Sequence, residues 1–314
     1  MTDLSDINLG PGSNYMQVLD KGFVGLVDIM GDDSAIVQAA RTSYGKGTKS
    51  VSEDRSLIRY LLRHMHTSVF EMVEFKFHIK LPIFVMRQHV RHRTANLNEY
   101  SGRYSVMTDE FYIPEPARLQ AQSVTNKQGS GAQLQGPELE MAFNTIQRVS
   151  AESYADYLSL INQEGGRPYN MEDRQGLTRE LARIILPQNN YTECYWKIDL
   201  KNLFHYIKLR ADHHAQWEIQ EFARALASFV KQQCPLAFEA FEDYWEQCKT
   251  ISRMDLNLMQ EIVQVSNHMG VGFSSAYSWM KLQQGGRDAV RIRHGLSKRE
   301  LTEFEVQWQL AATE

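Results

Sequence analysis

The sequence predicts an α+β protein: a mixed sheet with surrounding helices, predominantly helical, followed by a C-terminal helical extension. Three observations carry this. Residues 74–81 alternate apolar and polar side chains with a period of two, as a strand does. Several other segments place apolar residues three and four apart, as amphipathic helices do. Beyond residue 250 the pattern becomes purely helical. A boundary is therefore set there, with 1–250 as the main domain and 251–314 as the extension.

Taken in order, residues 22–30 (GFVGLVDIM) are apolar and β-prone and form a strand ahead of Gly31. Residues 34–42 form a helix ending near Ser43. Ser52 is an N-cap, with Glu53 and Asp54 in the first turn and Leu57, Ile58, Leu61 and Leu62 as the apolar stripe. In 74–81, Phe75, Phe77, Ile79 and Leu81 face one way and Glu74, Lys76, His78 and Lys80 the other, a half-buried strand. Pro82 ends it and opens a helix. Asn98 to Tyr104 is polar and turn-prone, a loop leaving a helix end. Residues 120–137, rich in Gln, Ser and Gly, are a mobile surface loop, and 163–176 a second loop. Helices follow from about 139 and over 178–186, 199–211 and 216–233. In the extension, 255–267, 275–283 and 297–309 are helical, the last opened by a capping box of Ser297 and Glu300.

Bulk properties narrow the function. The chain has 314 residues, 43% hydrophobic and 23% charged, with a formal net charge of -4. That balance argues against coating nucleic acid through global charge. The cysteines, Cys194, Cys234 and Cys248, form no CxxC, so neither a disulfide framework nor a zinc knuckle is expected. His64/His66 and His213/His214 lack HExxH or a cysteine set, and no metal is expected. No signal peptide or membrane span is read, and a cytoplasmic location is expected.

The chemistry concentrates in Arg87 to Tyr104. Arg87, Arg91, Arg93 and Arg103 face one acid, Glu99, a cationic focus in a net acidic chain. Guanidinium groups fork onto phosphates and polarised carbonyls with fixed geometry. On a helix, Gln88 and His92 share a face.

Residues 91–104, RHRTANLNEYSGRY, resemble the signature RHRxxSxNExSxRY of the flavin-dependent thymidylate synthase family. Arg91, His92, Arg93, Asn98, Glu99, Ser101, Arg103 and Tyr104 match; Asn96 stands where the pattern has Ser. Segments 40–45 (ARTSYG), 64–72 (HMHTSVFEM), 82–88 (PIFVMRQ), 179–187 (RELARIILP) and 209–220 (LRADHHAQWEIQ) extend the resemblance in order, from about residue 16 to 245, with the two loops as insertions.

The resemblance implies methylation of dUMP to dTMP, with methylenetetrahydrofolate as carbon donor and NADPH as reductant through FAD. It implies a homotetramer with shared active sites. Carried over by position, Ser43, His66, Ser68, Arg91, His92, Arg93, Glu99 and His205 are the FAD contacts, with Glu71 in that region. Gln88, Glu99, Ser101, Arg103, Arg183 and Arg210 form the dUMP site. Arg103 and Arg183 suit the phosphate, and Arg210 the uracil carbonyl edge. Arg210 and Ser101 are the catalytic candidates. A serine nucleophile needs an activating base, so Ser101 is assigned to substrate positioning. His66 and Tyr104 are folate candidates.

One competing reading is a non-catalytic nucleotide- or nucleic-acid-binding protein with a basic Arg87–Arg103 patch. Residues 259–285 resemble a helix-turn-helix, followed by Arg287, Arg291, Arg293, Lys298 and Arg299. A helical hairpin with a Gly turn is the commoner meaning of that pattern. Nucleic-acid binding, if any, is expected only through this tail.

Overall fold

The computed structural model describes residues 1–2, 5, 7–8, 12–42, 51–124, 129–166 and 173–310. The chain forms two units, Met1–Gln247 and Cys248–Glu314. The first runs β1 (Tyr15–Val18), β2 (Gly22–Met30), α1 (Asp33–Arg41), α2 (Val51–Arg63), β3 (Glu74–Pro82), α3 (Ile83–His89), β4 (Asn96–Glu99), β5 (Gln120–Gln122), β6 (Ser130–Gln133), α4 (Gly136–Leu160), α5 (Arg179–Ala182), β7 (Tyr191–Asp199), α6 (Leu200–Arg210), α7 (Trp217–Gln233) and α8 (Pro235–Phe241). Helix predominates over a five-stranded sheet of order β1-β2-β3-β7-β4, with every described pairing antiparallel.

The alternation in β3 sets the core. Phe75, Phe77, Ile79 and Leu81 are buried, and so are Cys194, Trp196 and Ile198 of β7 on the same face. Helix α7 covers that face with Ile219, Phe222, Leu226 and Phe229; the Phe77 and Phe229 rings lie 6.2 Å apart. Such burial is the main stabilising force of a domain this size.

The opposite face of β3 differs from the half-buried expectation, because His78 and Lys80 are buried too. They are tolerated because they are paired. His78 Nε2 lies 2.6 Å from Glu193 Oε1, and Lys80 Nζ donates to Glu110 Oε1 at 2.7 Å and to the Thr2 carbonyl at 2.8 Å. Burial would raise the Glu193 carboxyl, but bonds from His78 and Thr2 outweigh it and bring it down to about 2.

Four further expectations are corrected. Asn98 and Glu99, expected at the start of a loop, belong to edge strand β4 on β7; all four side chains of β4 are exposed, so no apolar alternation marks it. Residues 120–133 include the β5–β6 hairpin, whose ladder is backbone-made and leaves a polar surface. The helix expected over 178–186 is four residues long, followed by a 3-10 turn Arg183–Ile185, because Pro187 stops the chain. Strands β1 and β7 and helix α8 were not anticipated. Helix α1 starts at Asp33, capped by Asp32 accepting from Ser34 N, and α2 starts at Val51, so Ser52 lies inside it. Ser43, the Ser52 side chain and residues 167–172 of the second loop lie outside the described residues.

The second unit holds α9 (Arg253–Met269), α10 (Phe273–Gln283), α11 (Arg287–His294) and α12 (Lys298–Gln307). Its own core includes Leu258, Ile262, Tyr277, Met280, Leu301 and Phe304. Capping boxes at Ser252/Asp255 and Ser297/Glu300 open α9 and α12. Gly270, at φ 63°, makes the left-handed turn between α9 and α10, a conformation that favours glycine.

Asp199 ends β7 and caps α6, accepting the Asn202 N–H at 2.9 Å and the Asn202 side-chain amide at 2.6 Å. Asp199→Ala should lower stability by about 1 kcal/mol, read as a lower urea midpoint with unchanged slope.

Candidate functional site

Two distant motifs meet where α3 ends and α6 ends. Helix α3 closes through the Val90 N–H, and the turn continues with Arg91 N donating to the Gln88 carbonyl and His92 N to that of His89. This turn buries His89, half-buries His92 and leaves Arg91 and Arg93 exposed. From α6, Arg210 reaches across: its Nε–H donates to His92 Nε2 at 3.0 Å and its Nη2 to the Gln88 carbonyl at 3.3 Å.

That bond requires a neutral His92. Burial pushes its imidazole down to about 4, helped by the adjacent Arg210 charge and then by His205. Behind it, His89 is pushed down to about 3 by burial, then by His92 and Arg210. His89 Nδ1 shares a 3.0 Å hydrogen bond with the Tyr206 hydroxyl, and the Tyr206 ring meets His92 edge-on at 4.6 Å. His205 is also held below its ordinary value, first by burial and then by Lys201, Lys208 and Arg210. The His92 and His205 rings lie 5.7 Å apart.

Arg91, His92, Arg93, His205 and Arg210 line one cavity of about 260 Å³, joined by Asn202. His66, Ser68, Glu99, Ser101, Arg103 and Arg183 are not in its wall. A second group surrounds the turn after β4. Glu99 Oε1 accepts the Thr192 hydroxyl at 2.8 Å, and Ser101 Oγ accepts the Arg103 N–H at 3.3 Å. Among the described residues no imidazole or carboxylate bonds Ser101 Oγ. Arg103 Nε pairs with Glu180 Oε1 at 3.1 Å, and Arg183 Nε donates to the Glu180 carbonyl at 3.2 Å. Gly102 allows this convergence: a Cβ there would stand 2.8 Å from Met107 Sδ and 3.2 Å from Arg183 Cδ.

Gln88 sits between, donating from Nε2 to Gln216 Oε1 at 2.6 Å. His66 and Ser68 are exposed beyond α2, with His66 edge-on to Tyr60 at 6.1 Å; Glu71 is exposed beside them and donates its N–H to the Ser68 carbonyl. Asn96 and Tyr104 are exposed. Asp212, His213 and His214 carry donor atoms within 4.8 Å of one another, all exposed, and His214 Nδ1 is 2.8 Å from Asp212 Oδ1. In the second unit, Arg287, Arg291, Arg293 and Arg299 are each ion-paired to Glu305, Asp288, Glu261 and Glu303.

Sequence reasoning missed Thr192, Tyr206 and Asn202. The alternation in YTECYWKID was a legible signal for β7 and so for Thr192. Tyr206 and Asn202 had none, since a helical Tyr or Asn is common.

A family model described as "Thymidylate synthase complementing protein" matches residues 25–236. A protein of Ruegeria pomeroyi named flavin-dependent thymidylate synthase is 55% identical over 227 residues, 72% of this chain and 72% of that protein. One of Thermus thermophilus with the same name is 52% identical over 252 residues, 80% of this chain and 87% of that protein. The crystal structure of a UMP/dUMP methylase, PolB from Streptomyces cacaoi, bound with 5-Br dUMP, superposes with a TM-score of 0.63 at 27% identity, covering 74% of this chain and 99% of that one. The chain is thus an enzyme rather than a passive binding module. The chain belongs to the flavin-dependent thymidylate synthase family.

The neutral His92 has a consequence for pH dependence. Its folded-state value lies below the ordinary 6.5, so the unfolded chain takes up the proton more readily. Stability should be unaffected by this group above 6.5 and should fall as pH drops from 6.5 toward 4. Removing the neighbouring charge with Arg210→Gln should raise the His92 value, measured by imidazole proton NMR titration. An unchanged titration would show that Arg210 does not set it.

Proposed function

We propose that this enzyme methylates dUMP to dTMP, taking the carbon from methylenetetrahydrofolate and reducing equivalents from NADPH through bound FAD. The observation that carries the reading is the single groove in which Arg91–Arg93 of one motif and His205–Arg210 of another converge. The names of the relatives support the flavin, and the ligand of the solved methylase supports a uridine nucleotide.

The groove suits a flavin dinucleotide. Exposed Arg91 and Arg93 match a diphosphate, and the neutral His92 and His205 rings match a planar ring system without adding charge. A bound flavin supplies hydride acceptance and return. The residues of the chain supply placement and electrostatics. Arg210 spends Nε on His92 and Nη2 on Gln88, so its guanidinium is fixed before a ligand arrives. A preorganised cation stabilises charge developing on a pyrimidine carbonyl without reorganisation. Arg103 and Arg183, gathered at Glu180, provide the phosphate clamp. Glu99 is held by Thr192 through one oxygen and offers the other to a donor N–H or O–H.

Glu99, Ser101, Arg103 and Arg183 lie outside the wall of the groove of one chain, and apolar side chains stand exposed near the two arginines. Ile184 is 71% exposed and Tyr104 74%. Exposed apolar groups of this kind mark interaction surfaces. We assign them to subunit contacts in a homotetramer whose active sites draw on several chains. Among the described residues, no helix is long and apolar enough to cross a membrane.

Purified protein should be yellow, release flavin on denaturation, and liberate tritium from C5-labelled dUMP only when methylenetetrahydrofolate and NADPH are present. Arg210→Ala should abolish turnover with flavin retained, by about two orders of magnitude or more for loss of one preorganised donor. His92→Ala should weaken flavin retention. Colourless protein that also fails to take up added FAD refutes the reading; two bright yellow, fully active variants refute the division of roles.

A further inference from the structure

The second unit lies beyond residues 25–236, which match the family model, so the synthase reading gives it no task. Its helices α9 and α10 are joined by a tight turn. Gly270 takes the left-handed conformation, and Ser266 Oγ donates across the turn to the Val271 carbonyl at 2.5 Å. The arrangement is a helix-turn-helix. A bare helical hairpin would need another body to pack on. Here α9 and α10 belong to a four-helix unit with its own core, and Ala276, Tyr277 and Met280 on the inner side of α10 are part of it. One buried carboxylate fixes α10 in place. Glu305 of α12 accepts the Tyr277 hydroxyl at 2.7 Å through one oxygen and the Arg287 Nε–H of α11 at 2.8 Å through the other. Just past α10, Gln284 Nε2 donates to Glu261 of α9 at 2.9 Å.

The outer side of α10 is therefore not needed for the fold of the unit. Ser275, Trp279 and Leu282 recur along it at helical spacing and are exposed, and Ser274 is exposed in the first turn. The charge pattern here departs from the rest of the chain. The protein has 38 Asp and Glu residues, yet none falls between Ile262 and Arg287. That stretch spans the end of α9, the turn and all of α10, and it holds Lys281 and Arg287. Lys281 Nζ lies over the Tyr277 ring, 4.9 Å from its centre, rather than on a carboxylate. A surface that meets a polyanion excludes carboxylates in this way. On α12 the Arg299–Glu303 pair is exposed on both sides, 88% and 59%. Such a pair contributes little and opens readily when a phosphate competes.

We propose that the second unit binds duplex DNA, with the first turn and outer side of α10 in the major groove. That groove admits an α-helix, whereas the major groove of an RNA duplex is too deep and narrow for one. Ser274 and Ser275 stand where the second helix of such a motif meets base edges. Trp279 and Leu282 offer apolar contact to the methyl group of thymine. A protein partner on the same side would leave the missing acids without a reason. The inference goes beyond the synthase reading and does not rest on it.

The test uses the full chain and a pool of random-sequence DNA duplexes, carried through rounds of selection at low salt. Wild type should enrich a common sequence and bind it in a fluorescence-anisotropy titration, with an affinity that falls as salt rises. The double variant Ser275→Glu/Leu282→Glu places two carboxylates on the outer side of α10. It should weaken that binding by about ten-fold or more, with circular dichroism and thermal midpoint as in wild type. An RNA duplex of the same sequence should not compete, and neither should dUMP. Failure of wild type to enrich or bind any duplex overturns the proposal, as does full binding by the double variant or equal competition by the RNA duplex. Displacement by dUMP would put the duplex on the Arg87–Arg103 patch and overturn it too. None of these outcomes depends on dTMP formation, so the proposal and the synthase reading fail separately.

Discussion

Strand β7 bears ladders on both edges, and the placement of every groove residue follows from that. On one edge it pairs with β3 from Glu74↔Asp199 to Pro82↔Tyr191; on the other it holds β4 from Asn96↔Lys197 to Glu99↔Cys194. Helix α3 leaves the end of β3, so the chain from Ile83 to Asn96 is tethered to β7 at both ends. Helix α6 starts directly from β7, capped by its last residue, Asp199. The Arg91–Arg93 turn and Arg210 are therefore anchored to one strand by short rigid segments. Such anchoring keeps a site within the tolerance that placement-driven chemistry needs.

The hydrogen bond from Arg210 to His92 closes this frame, and it does so because the imidazole is neutral. A charged His92 could not accept from a guanidinium and would repel it. Burial against Tyr206 and the nearby positive charge keep the proton off, and His89 behind it is neutral for the same reasons. Two imidazoles and a cation thus form a group carrying one positive charge, located on Arg210. The positive charge of the group then rests on one guanidinium in the wall of the groove.

What the sequence made legible follows physical rules. Strand β3 and helices α6 and α7 were readable because each buries one apolar face, which imposes a period. The motif residues were readable because polar side chains of unlike chemistry crowded 91–104 in an otherwise acidic chain. Strand β4 was hidden, since an edge strand with four exposed side chains, three of them polar, carries its ladder in the backbone. The burial of His78 and Lys80 was hidden for a different reason: their partners Glu193, Glu110 and Thr2 come from distant segments, and no local pattern announces a buried ion pair. The roles of Thr192 and Tyr206 were hidden likewise, because each acts by holding another residue.

The division of the motif between two places has a physical logic. Arg91, His92 and Arg93 precede β4; Ser101 and Arg103 follow it. A four-residue strand at about 3.3 Å per residue separates the two halves by more than ten ångströms, so one ligand head cannot touch both from the same chain. The two halves can serve one reaction only if the cofactor spans the gap or a second chain brings its own half to the first. Glu180 organises the half that follows β4. It holds Arg103 through its carboxylate and Arg183 through its carbonyl, on a surface where Ile184 and Leu181 are exposed. Both guanidinium groups are thus held on one rim, where apolar side chains also reach solvent.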